Sequence, residues 1–201
     1  MDHRTFLVAT HNKGKVKEYR ELLEDLDASW VGLNDVGIYW DVEETGTTFE
    51  ENAGLKATSY ARASGILTLA DDSGLEVDAL GGEPGVYTAR FGGAGLTSEE
   101  RYQLLLQKLA QVPWEQRTAR FRCVVALADT DGMLATADGA IEGRIALAPS
   151  GTGGFGYDPV FYVLEEQVTM AQLPVEVKNR ISHRARALAA LRPRLVEVFG
   201  G

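Results

Sequence analysis

The chain carries one cysteine, Cys123, in 201 residues. A single thiol excludes an internal disulfide framework and a cysteine-based zinc site, and it suits a reducing compartment. No apolar run approaches the roughly 20 residues that span a bilayer, and "MDHRTFLVATHNKGK" at the start holds too short a run for a signal peptide. Basic residues are also in the minority. Lys and Arg number 20 against 29 Asp and Glu, for a net charge of −9. That field disfavours nucleic acid and anionic membranes as partners, so a polyanionic ligand would need a local cluster of Lys, Arg or metal. No internal repeat, low-complexity tract or linker divides the sequence. Residues 1–201 therefore read as a single domain, with a soluble, cytoplasmic composition that is 45% hydrophobic and 24% charged.

What is present reads as α/β. "TFLVAT" (5–10) has the short, continuous apolar character of a buried strand, and Val16, Tyr19, Leu22, Leu23 and Leu26 recur at helical spacing over 13–26. "SWVGL" (29–33) is a second strand. Thr47 and Thr48, each with Glu three residues on, offer two capping boxes for a helix over 49–64. "ILTLA" (66–70) is a further buried strand that meets a Ser-Gly turn. Thr97 with Glu100 caps a helix over 98–111. The stretch 119–147 reads as a long hairpin turning at Asp131-Gly132. Ser182 caps a last helix, whose middle Pro193 should disturb. The expected architecture is a mixed central sheet flanked by helices, elongated, with two lobes and a substrate cleft between them.

Four segments could carry chemistry. "THNKGKVKE" (10–18) links the first strand to the first helix, where unpaired N–H groups, Lys13 and Lys15 would meet an anion and Gly14 permits close approach. It is no Walker A loop, because Ala9 and Val16 stand where that pattern needs Gly and Ser or Thr. "GTGGFGYDP" (151–159) formally contains G-x-G-x-x-G at Gly151, Gly153 and Gly156. A dinucleotide fingerprint opens a helix, whereas Asp158-Pro159 and "VFYV" point to extended chain. Phe155 or Tyr157 would instead stack on a flat base. "KNRISHRAR" (178–186) concentrates Lys178, Arg180, Arg184 and Arg186 around His183 in an acidic protein. Each segment also has a plainer reading, as a solvated loop, a flexible glycine loop or an amphipathic surface helix.

The fourth is a carboxylate set: Glu43, Glu44, Glu50, Glu51, Asp71 and Asp72. Successive strand residues face opposite ways, so Asp71 and Asp72 should serve different environments. One of them beside a Glu of "EETG" would suit magnesium, which takes one or two protein carboxylates and fills its shell with water and phosphate oxygens. A charged surface turn is the alternative. Together the four segments suggest a nucleoside triphosphate bound with Mg²⁺, without saying which base binds or which bond breaks.

Read in order, "FLVATHNKGKVKE", "EETGTTFEENAGLKA", "LADDSGLEVDALGGEPGVYTARF", "GTGGFGYDPVF" and "KNRISHRARAL" resemble the Ham1/RdgB family of inosine triphosphate pyrophosphatases over nearly the whole chain. The resemblance implies Mg²⁺-dependent hydrolysis of ITP, dITP and XTP to monophosphate and pyrophosphate by a homodimer. It assigns Thr10, His11, Asn12, Lys13, Gly14 and Lys15 to the triphosphate, and Asp72 to catalysis or metal holding. Ser73 would touch substrate and Lys56 would act on the phosphate side. Glu43 or Glu44 would share the metal. Phe155, Gly156, Tyr157 and Asp158 would line the base pocket, completed by Lys178, His183 and Arg184. A Maf-like pyrophosphatase with another base preference and a non-catalytic nucleotide-binding module are the competing readings.

Overall fold

The computed structural model describes residues 5–200. Phe6, Leu7 and Val8 are buried in β1 (Thr5–Val8), the apolar strand that the sequence announces. It leads into α1 (Lys13–Leu22), then β2 (Ser29–Gly32), α2 (Phe49–Ser64) and β3 (Thr68–Val77). After α3 (Ser98–Lys108) come β4 (Thr118–Ala128) and β5 (Met133–Ile145). The short strands β6 (Phe161–Val163) and β7 (Val168–Thr169), then α4 (Val175–Ile181) and α5 (His183–Gly200), complete the order. Seven strands form one mixed sheet in the order β2-β1-β3-β4-β5-β6-β7. Here β1 runs parallel to β2 and β3, and β6 runs antiparallel to β5 and β7.

The chain divides into two compact units. One comprises the chain up to Asp72, Cys123–Gly139 and the chain from His183 onward; the other comprises Ser73–Arg122 and Ala140–Ser182. The first has its own core of Phe6, Val8, Tyr19, Leu69, Val125, Leu127, Leu188 and Leu191. The second packs Leu75, Leu105, Leu109, Phe121, Phe161 and Val163, with Phe121 and Phe161 rings 4.5 Å apart. Burial of such side chains is worth about 1.5–3 kcal/mol each, so both units hold together without a disulfide.

Three expectations are corrected. The first helix ends at Leu22 rather than 26, where the C-cap Leu23 leaves the helical conformation and its N–H donates to the Tyr19 and Glu21 carbonyls. The strand after Ile66 does not stop at a Ser-Gly turn. It continues through Asp71, Asp72, Ser73 and Gly74 to Val77, with Leu75 and Val77 fully buried. Pro193 lies inside α5, which runs unbroken through it, and it sits on the exposed face while Leu188, Leu191 and Leu195 carry the buried one. Between the two candidate capping boxes, the fold uses Thr48 with Glu51. The Thr48 hydroxyl accepts from Glu51 N at 3.1 Å, and the Glu51 carboxylate accepts from Thr48 N at 3.2 Å.

Candidate active site

The continuation of β3 puts its two adjacent carboxylates on opposite faces, as period-two geometry demands. Both are buried, at 2% and 6% exposure, so each must find compensation. Asp71 finds two cations. Its Oδ2 lies 2.8 Å from Lys15 Nζ and 3.3 Å from Arg184 Nη2. Arg184 is itself fully buried and also pairs with Glu18 of α1. Burial alone would raise the Asp71 carboxyl, but Lys15 and Arg184 outweigh it and hold the group well below the usual carboxylate range. Cys123 Sγ stands 3.7 Å from the same oxygen, and burial pushes that thiol far up, so it is inert.

On the other face, Asp72 receives Lys56 Nζ on Oδ1 and Asn52 Nδ2 on Oδ2, each at 3.1 Å. Asn52 and Lys56 are one turn apart on α2 and therefore share a face. The Lys56 ammonium is also 2.5 Å from Glu44 Oε1, so it bridges two acids. The consequence is opposite to that at Asp71. Burial raises the Asp72 carboxyl, Lys56 offsets only part of this, and the nearby Glu44 charge adds to the rise. Lys56 would be lowered by burial, yet Asp72, Asp71 and Glu44 together hold its pKa above the usual value. Glu43 is exposed, whereas Glu44 is half-buried and directed at Lys56. Glu44 is thus the member of the pair that accompanies Asp72.

Two carboxylate oxygens converging on one ammonium mark a place built for positive charge. Among the described residues, no group of three or more His, Cys, Asp or Glu could hold a metal ion. Glu44 and Asp72 are the two carboxylates here that could contribute oxygens to a hard cation, which would need its other ligands from water and phosphate.

The loop into α1 is organised by Asn12. Its Oδ1 accepts from Gly14 N at 2.9 Å and Lys15 N at 3.2 Å, capping the helix. The Thr10 hydroxyl accepts from Asn12 N at 3.2 Å. Two of the amides expected to face an anion are thus satisfied within the loop, which shifts the weight of anion recognition to side chains. Lys13 is exposed. His11 Nε2 lies 3.4 Å from the Trp40 carbonyl and 3.9 Å from an Asp41 carboxylate oxygen.

The second unit holds the glycine-rich loop. Asp158 Oδ2 accepts from Lys178 Nζ at 2.6 Å and from Phe155 N at 2.9 Å, and the same ammonium sits 5.1 Å from the Phe155 ring centroid. Gly154 takes φ +71°, and a Cβ there would fall 1.9 Å from Asp158 Oδ2, so only glycine fits. Phe155 and Gly156 are half-buried. Tyr157 departs from the stacking role considered for it. Its ring is 4% exposed within the core and its hydroxyl donates to the Thr88 carbonyl at 3.1 Å; burial pushes its pKa up to about 12. Phe155 is the aromatic of this loop with accessible surface. Ser73 follows Asp72 on β3 and belongs to this second unit, whereas His183 and Arg184, both buried, belong to the first.

Sequence reasoning missed Asn52 and Glu18. Asn52 stands four residues before Lys56 on the same helix, and that spacing was the available signal. Glu18 looked like any exposed acid of an amphipathic helix.

Comparison with known proteins places this arrangement in context. The profile of the Ham1 family matches residues 6–194. A dITP/XTP pyrophosphatase of Geobacter sulfurreducens is 50% identical over 189 residues, which cover 94% of this chain and 95% of that protein. A dITP/XTP pyrophosphatase of Bacillus subtilis is 47% identical over 185 residues, 92% of this chain and 93% of its own. Among solved structures, a HAM1 protein from Coxiella burnetii superposes with a TM-score of 0.86 at 42% identity, covering 96% of this chain and 98% of its own.

Proposed function

The chain belongs to the Ham1 family, and we propose that it is a nucleoside triphosphate pyrophosphohydrolase acting on dITP, XTP and ITP. The products are the nucleoside monophosphate and pyrophosphate, so the reaction clears non-standard purines from the nucleotide pool. The observation that carries this reading is the shared-cation geometry, with Lys56 Nζ bridging Glu44 and Asp72 on one face of β3. Lys13 and Lys15 bind the triphosphate. Asp72, whose buried carboxyl has a raised pKa, orients a water molecule and accepts its proton. The water oxygen forms a bond to the α-phosphorus, the bond from that phosphorus to the bridging oxygen breaks, and pyrophosphate leaves against the lysine charges. Such chemistry is mainly positioning and electrostatics. Glu44 and Asp72 would hold Mg²⁺, which would supply further charge neutralisation.

At the base end, Phe155 stacks on the purine and Lys178 donates to the 6-oxo group of hypoxanthine and xanthine, which guanine also carries. Adenine places an amino group there, which sets donor against donor and is rejected. No helix among the described residues is long and apolar enough to cross a membrane; a cytoplasmic homodimer is part of the same proposal.

The test is product analysis with ITP, dITP, XTP, GTP and ATP in Mg²⁺, resolving pyrophosphate from orthophosphate. Rapid pyrophosphate release from ITP, dITP and XTP, with slow turnover of ATP, is expected; the 6-oxo contact by itself does not separate GTP. Orthophosphate as the product would overturn the assigned bond, and equal turnover of ATP would overturn the assigned base. Tight binding of XTP without turnover would instead indicate a binding module.

A further inference from the structure

Asn52 has no exposed surface, and a buried amide is tolerated only where both of its ends are paired. The partners fix which end points where. Gly46 N–H, 2.8 Å away, can only donate, so the Asn52 oxygen must face it. The Asn52 NH₂ is then aimed at Asp72 Oδ2, at 3.1 Å. A flipped amide would set its NH₂ against an N–H and its oxygen against a carboxylate, losing both contacts, so the orientation is locked.

The neighbouring contacts show what this lock holds. The segment before α2 is fastened to the first two turns of that helix at successive points. Thr47 N donates to Glu51 Oε2 at 2.6 Å, Gly46 N to Asn52, and Lys56 Nζ reaches Glu44 Oε1. A Cβ on Gly46 would come within 2.6 Å of Asn52 Oδ1 and 2.7 Å of Glu51 Cβ, so the close approach requires glycine. Of these fastenings, Asn52 and Lys56 also reach Asp72, one to each oxygen. Lys56 is a flexible point charge, whereas the amide is planar, fully buried and directional.

We infer that Asn52 is a positioning residue that sets the orientation of the Asp72 carboxylate and ties it to the loop carrying Glu44. This rests on the reading of Asp72 as the catalytic carboxylate. Asn52 does not touch the reacting atoms in this account. It leaves Asp72 one preferred rotation and keeps Glu44 in register with it.

A double-mutant cycle on XTP hydrolysis, with rates expressed per folded enzyme from circular dichroism, tests the inference. Asn52→Ala should lower kcat on the order of tenfold, the scale of one lost hydrogen bond to a charged group, with KM changed less than threefold. In an Asp72→Asn background the same substitution should have a much smaller effect, because the carboxylate it orients is gone and only the tether to Gly46 remains to be lost. A merely structural Asn52 would instead lower the rate by the same factor in both backgrounds, and that result would overturn the inference. The isosteric Asn52→Asp, which keeps an acceptor for Gly46 N, carries the same cycle should the alanine variant not fold. An unchanged kcat in this variant would likewise overturn it. Failure of the underlying reading is separable: Asp72→Asn would then retain near-normal kcat by itself, whatever the residue at 52.

Discussion

Asp71 and Asp72 are neighbours in sequence, of one residue type, and both almost fully buried; they nevertheless have opposite electrostatic fates. On one face of β3, Asp71 is met by two cations, and Arg184 among them is balanced in turn by Glu18. On the other face, Asp72 and Glu44 share Lys56. The first face is compensated in full and locked. On the second, burial raises the Asp72 carboxyl, Lys56 offsets only part of the rise and the Glu44 charge adds to it. Burial is nearly the same in both, so the count and arrangement of neighbouring charges decides the outcome. Paired by Lys15 and Arg184, Asp71 braces the fold and holds Lys15, whereas Asp72 keeps a raised pKa beside Lys56 and Glu44.

The largest expected effect is on the braced side. Asp71→Asn removes the buried counter-charge that Lys15 and Arg184 share, leaving Arg184 with Glu18, and should cost about 3–5 kcal/mol of stability at neutral pH, read by urea unfolding. Its sign with pH follows from the lowered native pKa. The stabilisation is fully present above the unfolded carboxyl's value of 3.8 and is lost as pH falls through the folded one. The gap between wild type and variant should therefore narrow only below about 3.8. A gap independent of pH would remove the ionic explanation. Next in size, Glu44→Gln should reduce kcat/KM for XTP by about tenfold or more, the scale of a lost charged contact. Glu43→Gln, altering an exposed side chain, should leave it within about twofold, as surface changes generally do. Equal losses in the two variants would erase the distinction between the paired glutamates.

Much of this contrast was legible in advance, but unevenly. Period-two alternation alone separated the environments of Asp71 and Asp72. The Thr48 cap, the Glu at the third helical position and Gly65 in the left-handed region delimit α2 at the residues expected. Both signals are local. The strand through Ser73-Gly74 was hidden because sheet pairing and the burial of Leu75 and Val77 override a dipeptide that favours turns. Arg184 was hidden for a different reason. Its acids lie 166 and 113 residues away in the chain, and nothing in "SHRARAL" distinguishes a buried guanidinium from a solvated one. The amide of Asn52 was unreadable likewise, because its meaning depends on Gly46 and Asp72 being brought to its two ends.

The most direct test of the account is the pyrophosphate release rate of Asp72→Asn with XTP, measured beside its thermal unfolding. Because the native Asp72 pKa is raised, the stability contribution of this carboxyl is present below the unfolded value of 3.8 and lost as pH rises through the folded one. At neutral pH its charge therefore works against the fold. The account predicts a fall in kcat on the order of 10²-fold or more with Tm unchanged or raised. A variant that keeps its rate within about threefold, well short of a general-base effect, or that loses rate only as it loses stability, would contradict the assignment of catalysis to this side of the strand.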